Sequence, residues 1–65
     1  MKRIKISKLI DLILFTNKQP RIIYFKNKKY IYHKYERDYY NYDKKTYLFR
    51  DEIDFFQYLD YEVEY

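Results

Sequence analysis

The chain has 65 residues, 14 Lys or Arg against 10 Asp or Glu, a net charge of +4, and no Cys, Gly, Ala or Trp. That length allows one domain, residues 1–65, which buries only about 60% of the surface its unfolded form exposes and therefore needs reinforcement. Without Cys there are no disulfides and no thiolate metal site, and the single His33 cannot hold a metal ion alone, so a core of large side chains or a second copy must serve.

The elements read in order from the N-terminus. Ile6, Leu9, Ile10, Ile13 and Leu14 recur at the i, i+3, i+4, i+7, i+8 spacing of an amphipathic helix of about ten residues. Ser7 is the expected N-cap, Asp11 lies near the positive end, and Asn17 is the expected stop. Lys2, Arg3, Lys5 and Lys8 ahead of Leu9–Phe15 imitate a signal peptide, but Asp11 breaks the apolar run and no small-residue cleavage site follows. The run also falls well short of the roughly 18 apolar residues of a membrane span. The expectation is a cytoplasmic, unprocessed chain.

Pro20 ends the helical stretch and opens an extended run, Arg21 to Lys26; a second extended run spans Lys29 to Tyr35. Asn27-Lys28 is the expected two-residue turn between them, since Asn tolerates positive φ. That register sets Phe25 opposite Tyr30 and Ile23 opposite Tyr32 on one face, with Tyr24 opposite Ile31 and Ile22 opposite His33 on the other. Both faces are then apolar or aromatic, and one helix layer covers only one. The second face is either packed by the C-terminal half or left for a partner.

Glu36-Arg37-Asp38 reads as a turn, Tyr39–Tyr42 as a short strand, Asp43-Lys44-Lys45 as a turn, and Thr46–Phe49 as another short strand. Asp51 is the expected N-cap of a second helix, with Glu52 and Asp54 near its positive end. Ile53, Phe56 and Leu59 are expected to face the core, with Phe49 and Phe55 beside them. Tyr61–Tyr65 alternates strictly, as a half-buried edge strand does. The fold expected is α+β: an antiparallel sheet of three to five strands, an N-terminal helix, and a second short helix before the last strand.

Charge is sorted along the chain. Residues 1–37 hold eleven basic side chains against Asp11 and Glu36, or +9, while residues 38–65 hold three against eight acids, or −5. This suggests a basic patch for an acidic partner, or an acidic half that masks it, unless the fold interleaves the two. Eleven Tyr and five Phe are the other peculiarity; AT-rich coding accounts for such a bias, since Phe, Ile, Lys, Asn and Tyr fill 37 positions. Tyrosines the core cannot use still make an adhesive surface, because each carries an apolar body and a polar tip.

Catalysis is disfavoured by inventory: there is no Cys nucleophile, no Gly-rich phosphate loop, and Ser7 sits where a cap belongs. No spacing orients His33 with a carboxylate, and the acids at 51, 52 and 54 lack the ligand pattern of a calcium loop. No enzyme activity, cofactor or metal is expected. Lysines around a tyrosine-bearing hairpin suit single-stranded nucleic acid, which needs phosphate neutralisation and base stacking. The acidic half and the missing RNP signature oppose that reading. Protein binding is the leading one, with Tyr24, Lys28, Lys29, Tyr30, Tyr32, Tyr35 and Arg37 as the expected contacts.

Leu9-Ile10-Asp11-Leu12-Ile13, Pro20-x-x-Ile23-x-Phe25, Tyr30-x-Tyr32, Tyr39-Tyr40, Tyr47-Leu48-Phe49 and Glu62-Val63-Glu64 together resemble a loose group of short proteins from phages and prophages of low-GC Gram-positive bacteria. The turn Lys26–Lys29 departs from that group in lacking Gly, and the N-terminal half is more basic. The resemblance implies no site residues. It implies a setting: accessory phage genes, many encoding inhibitors of host enzymes or of antiviral defence, so that a host protein such as a defence nuclease complex (an anti-CRISPR-like role) is the expected partner. A homodimer is compatible with the size.

Overall fold

The computed structural model describes residues 1–50 and 52–65, Glu52 and Asp54 by backbone alone. The elements are β1 (Arg3–Lys5), α1 (Ile6–Phe15), β2 (Ile22–Phe25), β3 (Lys28–His33), β4 (Asp38–Asn41), β5 (Thr46–Tyr47), α2 (Glu52–Gln57) and β6 (Glu62–Glu64). Helix α1 buries Ile6, Leu9 and Ile13, as their spacing predicts. Its ends differ from expectation. The N-cap position is Lys5, which makes no side-chain cap, and Ser7 already lies inside the helix. Distant backbone supplies the cap: the Ile6 N–H donates to Tyr61 O at 2.8 Å and the Ser7 N–H to Leu59 O at 3.0 Å. Two of the four orphan donors of a helix start are thereby satisfied. Thr16, not Asn17, closes the other end; its N–H and its hydroxyl reach the Leu12 carbonyl at 3.1 and 2.7 Å.

Among the described residues six strands form one antiparallel sheet, ordered β1-β6-β2-β3-β4-β5, where three to five were expected. The extra strand is β1, whose basic residues conceal its single inward side chain, Ile4. Strands β2 to β5 form a meander. The chain then passes through α2 and returns to the far side of β2. The last strand therefore lies inside the sheet and not at its edge: Ile4 faces Val63 on one side and Tyr24 faces Glu64 on the other. Val63 is fully buried, which a three-residue strand achieves because both neighbours complete its ladder. The true edges are guarded. Lys2 and Tyr65 exchange both backbone bonds, at 3.1 and 2.9 Å, so alternation turns the peptide groups of Arg3 and Lys5 outward along a positively charged edge. The opposite edge, β5, is only two residues long.

The β2–β3 turn is Lys26-Asn27, one residue earlier than expected, with φ of 51° and 63°. Two left-handed central residues define the type I′ hairpin turn. Phe25 thus pairs with Lys28 and Ile23 with Tyr30, a register two residues away from the expected one, and a shift of two leaves every side chain on its expected face. Lys26 is held there by its ammonium, which lies 4.3 Å over the Tyr58 ring and 3.2 Å from the Tyr58 hydroxyl. The four-residue loops 34–37 and 42–45 each end on a left-handed residue, Arg37 (φ 52°) and Lys45 (φ 55°). In a chain without glycine, charged residues occupy these strained positions.

Both helices lie on one side of the sheet. Beneath α1 pack Ile23, Phe25, Tyr30, Tyr39, Leu48 and Val63. Phe55 of α2 meets Phe49 at 6.5 Å, and the two share a groove with Ile10 and Ile13 of α1. The expectation for α2 is otherwise corrected: Ile53 and Phe56 are exposed and Leu59 half-buried. A helix of six residues makes fewer than two turns, so Phe55 alone takes the inward place. Asp51 and the side chains of Glu52 and Asp54 lie outside the described residues. Among the described residues no helix is long and apolar enough to cross a membrane.

Candidate functional site

With the helices on one side, strand alternation leaves the other side of the sheet open, and its chemistry falls into two zones. On β1 and β6 it is charged: Arg3 and Lys5 face Glu64 and Glu62 across the ladder, and Arg3 approaches Glu64 at 3.7 Å. From β2 to β5 it is apolar and aromatic. Ile22 and Tyr24 on β2, Ile31 and His33 on β3, Tyr40 on β4 and Tyr47 on β5 share this face, with Lys29 opposite Tyr24.

The centre of the aromatic zone is a four-ring cluster. The His33 ring lies 5.2 Å from Tyr40, 5.9 Å from Tyr42 and 5.7 Å from Tyr47, while Tyr40 lies 4.9 Å from Tyr42 and 4.8 Å from Tyr47. Most of these pairs are tilted or edge-to-face, the arrangements that ring quadrupoles favour. His33 Nε2 sits 3.1 Å from the Tyr42 hydroxyl, and Nδ1 is 3.8 Å from the Glu36 carboxylate, beyond hydrogen-bond length. The Arg50 guanidinium stacks 4.3 Å over Tyr47. Burial, and after it the Glu36 carboxylate, pushes the Tyr47 hydroxyl above its ordinary range while Arg50 pulls it down. Tyr42 remains 58% exposed. The rings are held in place yet reachable.

Two buried polar residues position this cluster. Asn41 accepts from the Lys44 N–H at 2.6 Å through Oδ1 and donates to the Lys29 carbonyl at 3.2 Å, which shapes the 42–45 loop and fixes Tyr42 at its start. Asp38 Oδ1 accepts from the Tyr39 N–H at 2.7 Å and the Phe49 N–H at 3.1 Å, tying the segment after β5 to the start of β4. Burial raises the Asp38 carboxyl above its ordinary range, although both hydrogen bonds oppose the shift.

The seven residues expected to make contacts are dispersed. Tyr24 and Lys29 are cross-strand partners on the open face. Tyr30, only 7% exposed, is a core residue: alternation from Ile23 turns it toward α1, which corrects its expected role. Tyr32 shares that inner side, 5.2 Å from Tyr39, and with Arg37 lines a cleft of about 650 Å³ below the end of α1. Lys28 lines a smaller cleft with Phe25 and Tyr58, and Tyr35 stands fully in solvent in the 34–37 loop. Sequence reasoning missed Tyr40, Tyr42, Tyr47 and His33 as a unit. The signal was present, since the alternation that set Ile22 and Tyr24 with Ile31 and His33 continues through Tyr40 and Tyr42.

Fold and face together define a small open-faced α+β protein, an antiparallel sheet backed by helices on one side and carrying organised aromatic side chains on the other. Compared with protein-family models, curated proteins and solved structures, the chain matches none.

Proposed function

We propose that the chain is a non-enzymatic binding protein that docks through its open sheet face onto a partner protein and blocks or modulates it. The supporting observation is the cluster of His33, Tyr40, Tyr42 and Tyr47, left uncovered because both helices lie behind the sheet. Rings already braced against one another lose little freedom on binding, and each gives a partner apolar area with a polar tip. Lys29, Arg50 and Glu36 stand close by as polar companions, the layout of an aromatic centre with a charged rim. The resemblance to short phage proteins supplies the setting: a host protein, such as a nuclease complex of an antiviral defence system, is the partner class.

Capture from nuclease-treated host lysate tests the reading. The tagged wild type should retain one host protein through moderate salt, and Tyr24→Ser with Tyr42→Ser should lose it while keeping the native far-UV spectrum. Equal capture by the double variant would remove the open face from the reading. A second reading, single-stranded nucleic acid, draws on Lys29 beside Tyr24 and on Lys26 and Lys28 of the same hairpin; Glu62 and Glu64 on the same face oppose it. Its mark is affinity for an oligonucleotide that falls linearly, on logarithmic axes, as salt rises.

A further inference from the structure

The helix side carries a second surface of different chemistry. Phe15 is 79% exposed, Phe56 70% and Leu14 53%. Among them a groove of about 360 Å³ opens between α1 and α2, lined by Ile10, Ile13, Leu14, Phe49 and Phe55. The Phe56 ring stands 5.4 Å from Phe55, at the groove wall. The patch therefore holds projecting apolar side chains and an apolar hollow side by side.

We infer that a second copy of the chain covers this patch, in a two-fold dimer that sets the exposed side chains of α1 and α2 of one protomer against the groove of its partner. A surface bearing both projections and a hollow is self-complementary, as an isologous interface must be. Size points the same way. The accessible surface is 5112 Å², whereas a self-sufficient monomer of 8.5 kDa is expected to show roughly 4,650 Å². The excess, about 450 Å², is more than half of the ~800 Å² that each partner contributes to a standard interface. The composition separates the two surfaces: homodimer interfaces favour apolar residues such as these Leu, Ile and Phe, while the Tyr, His and Lys of the open face suit a partner that comes and goes. At the groove's end Glu36 and Arg37 stand side by side with Arg50, so two copies meet without a surplus of like charge there. Dimerisation also supplies the reinforcement that a small domain without disulfides needs.

Sedimentation equilibrium of the 65-residue chain is the test. The expected mass is twice 8.5 kDa in the micromolar range. Phe15→Ser with Phe56→Ser should return the mass to 8.5 kDa with an unchanged far-UV spectrum, each single change weakening the dimer about tenfold, or about 1.4 kcal/mol. Tyr24→Ser with Tyr42→Ser should leave the dimer intact, which separates this surface from the one proposed for the partner. Dilution of the wild type, followed by NMR, should shift Leu14, Phe15 and Phe56 and spare Tyr24 and Tyr42, a readout that needs no variant. The inference is overturned by a wild type that stays at 8.5 kDa at millimolar concentration, whether or not it also partitions onto lipid vesicles. It is equally overturned by a dimer that survives the phenylalanine changes, or by one whose dilution shifts map to the sheet face.

Discussion

At the scale of single residues, the absence of glycine leaves stored strain that mutation can release. Lys45 adopts φ 55° at an exposed position. A non-glycine residue there costs about 1–2 kcal/mol, partly offset by the greater entropy glycine loses on folding. Lys45→Gly is expected to stabilise the domain by about 0.5–1 kcal/mol, a rise of several degrees in Tm. Lys26→Gly, at φ 51°, should gain less because it also severs the contact with Tyr58. Thermal melts of both variants check the order, and a Lys45→Gly midpoint at or below wild type contradicts it. Asp38 carries a pH signature. Burial raises its carboxyl above the ordinary 3.8, so the folded state holds the proton more tightly than the unfolded chain does. Its contribution to stability therefore grows as pH falls through the folded value, and at neutral pH its buried charge opposes folding. Asp38→Asn keeps the acceptor oxygen and removes the charge. The variant's stability relative to wild type should be greatest near neutrality and shrink as the solution is acidified toward about pH 4. Urea midpoints at the two pH values decide it; a constant difference would show that Asp38 titrates alike in both states.

At the scale of elements, β6 is the decisive piece. Removing residues 62–65 takes away the strand that joins β1 to β2 and leaves Val63's place in the core empty. Loss of one buried valine alone costs on the order of 1–3 kcal/mol, out of a total near 3–10 kcal/mol for a domain this small. The truncated chain is expected to be unfolded by circular dichroism, whereas removal of a mere edge strand would leave a cooperative melt. The placement of β6 was not legible in the sequence. Strict alternation over Tyr61–Tyr65 revealed a strand, but alternation says nothing about how many neighbours a strand has. Helix α1 was legible because three buried aliphatic residues recur at helical spacing. Its cap was not, because the acceptors are carbonyls of Leu59 and Tyr61, more than 50 residues away along the chain. The hairpin faces survived an error in the turn because that error was two residues, the period of a strand.

At the scale of the whole molecule, the two halves of opposite charge are interleaved at one end of the sheet, where acidic β6 lies against basic β1. The exposed Arg3–Glu64 pair contributes little by itself; Glu64→Gln should change stability by no more than about 1 kcal/mol. A larger loss in a denaturant titration would mean that this pair anchors the sheet. The sorting of charge was plain from the sequence, and its partial neutralisation was not, since it depends on strand order. The contact residues were half-legible for a related reason. A tyrosine-rich hairpin announces aromatic surface, but which rings reach solvent depends on where the helices settle, and they settled over Tyr30.

The chain's order of synthesis gives the position of β6 a further consequence. A growing polypeptide exposes residues 3–5 and then 22–25 long before it delivers residues 62–64, the segment that must slot between them. Until then two unfilled strand borders face one another across a gap, and the start of α1 lacks its carbonyl acceptors. Native pairing there is unattainable for nine-tenths of the time the ribosome spends on these 65 codons. The nascent meander must form first, wait, and close around its own tail, so the slowest event in folding should be the insertion of a strand into the middle of a sheet.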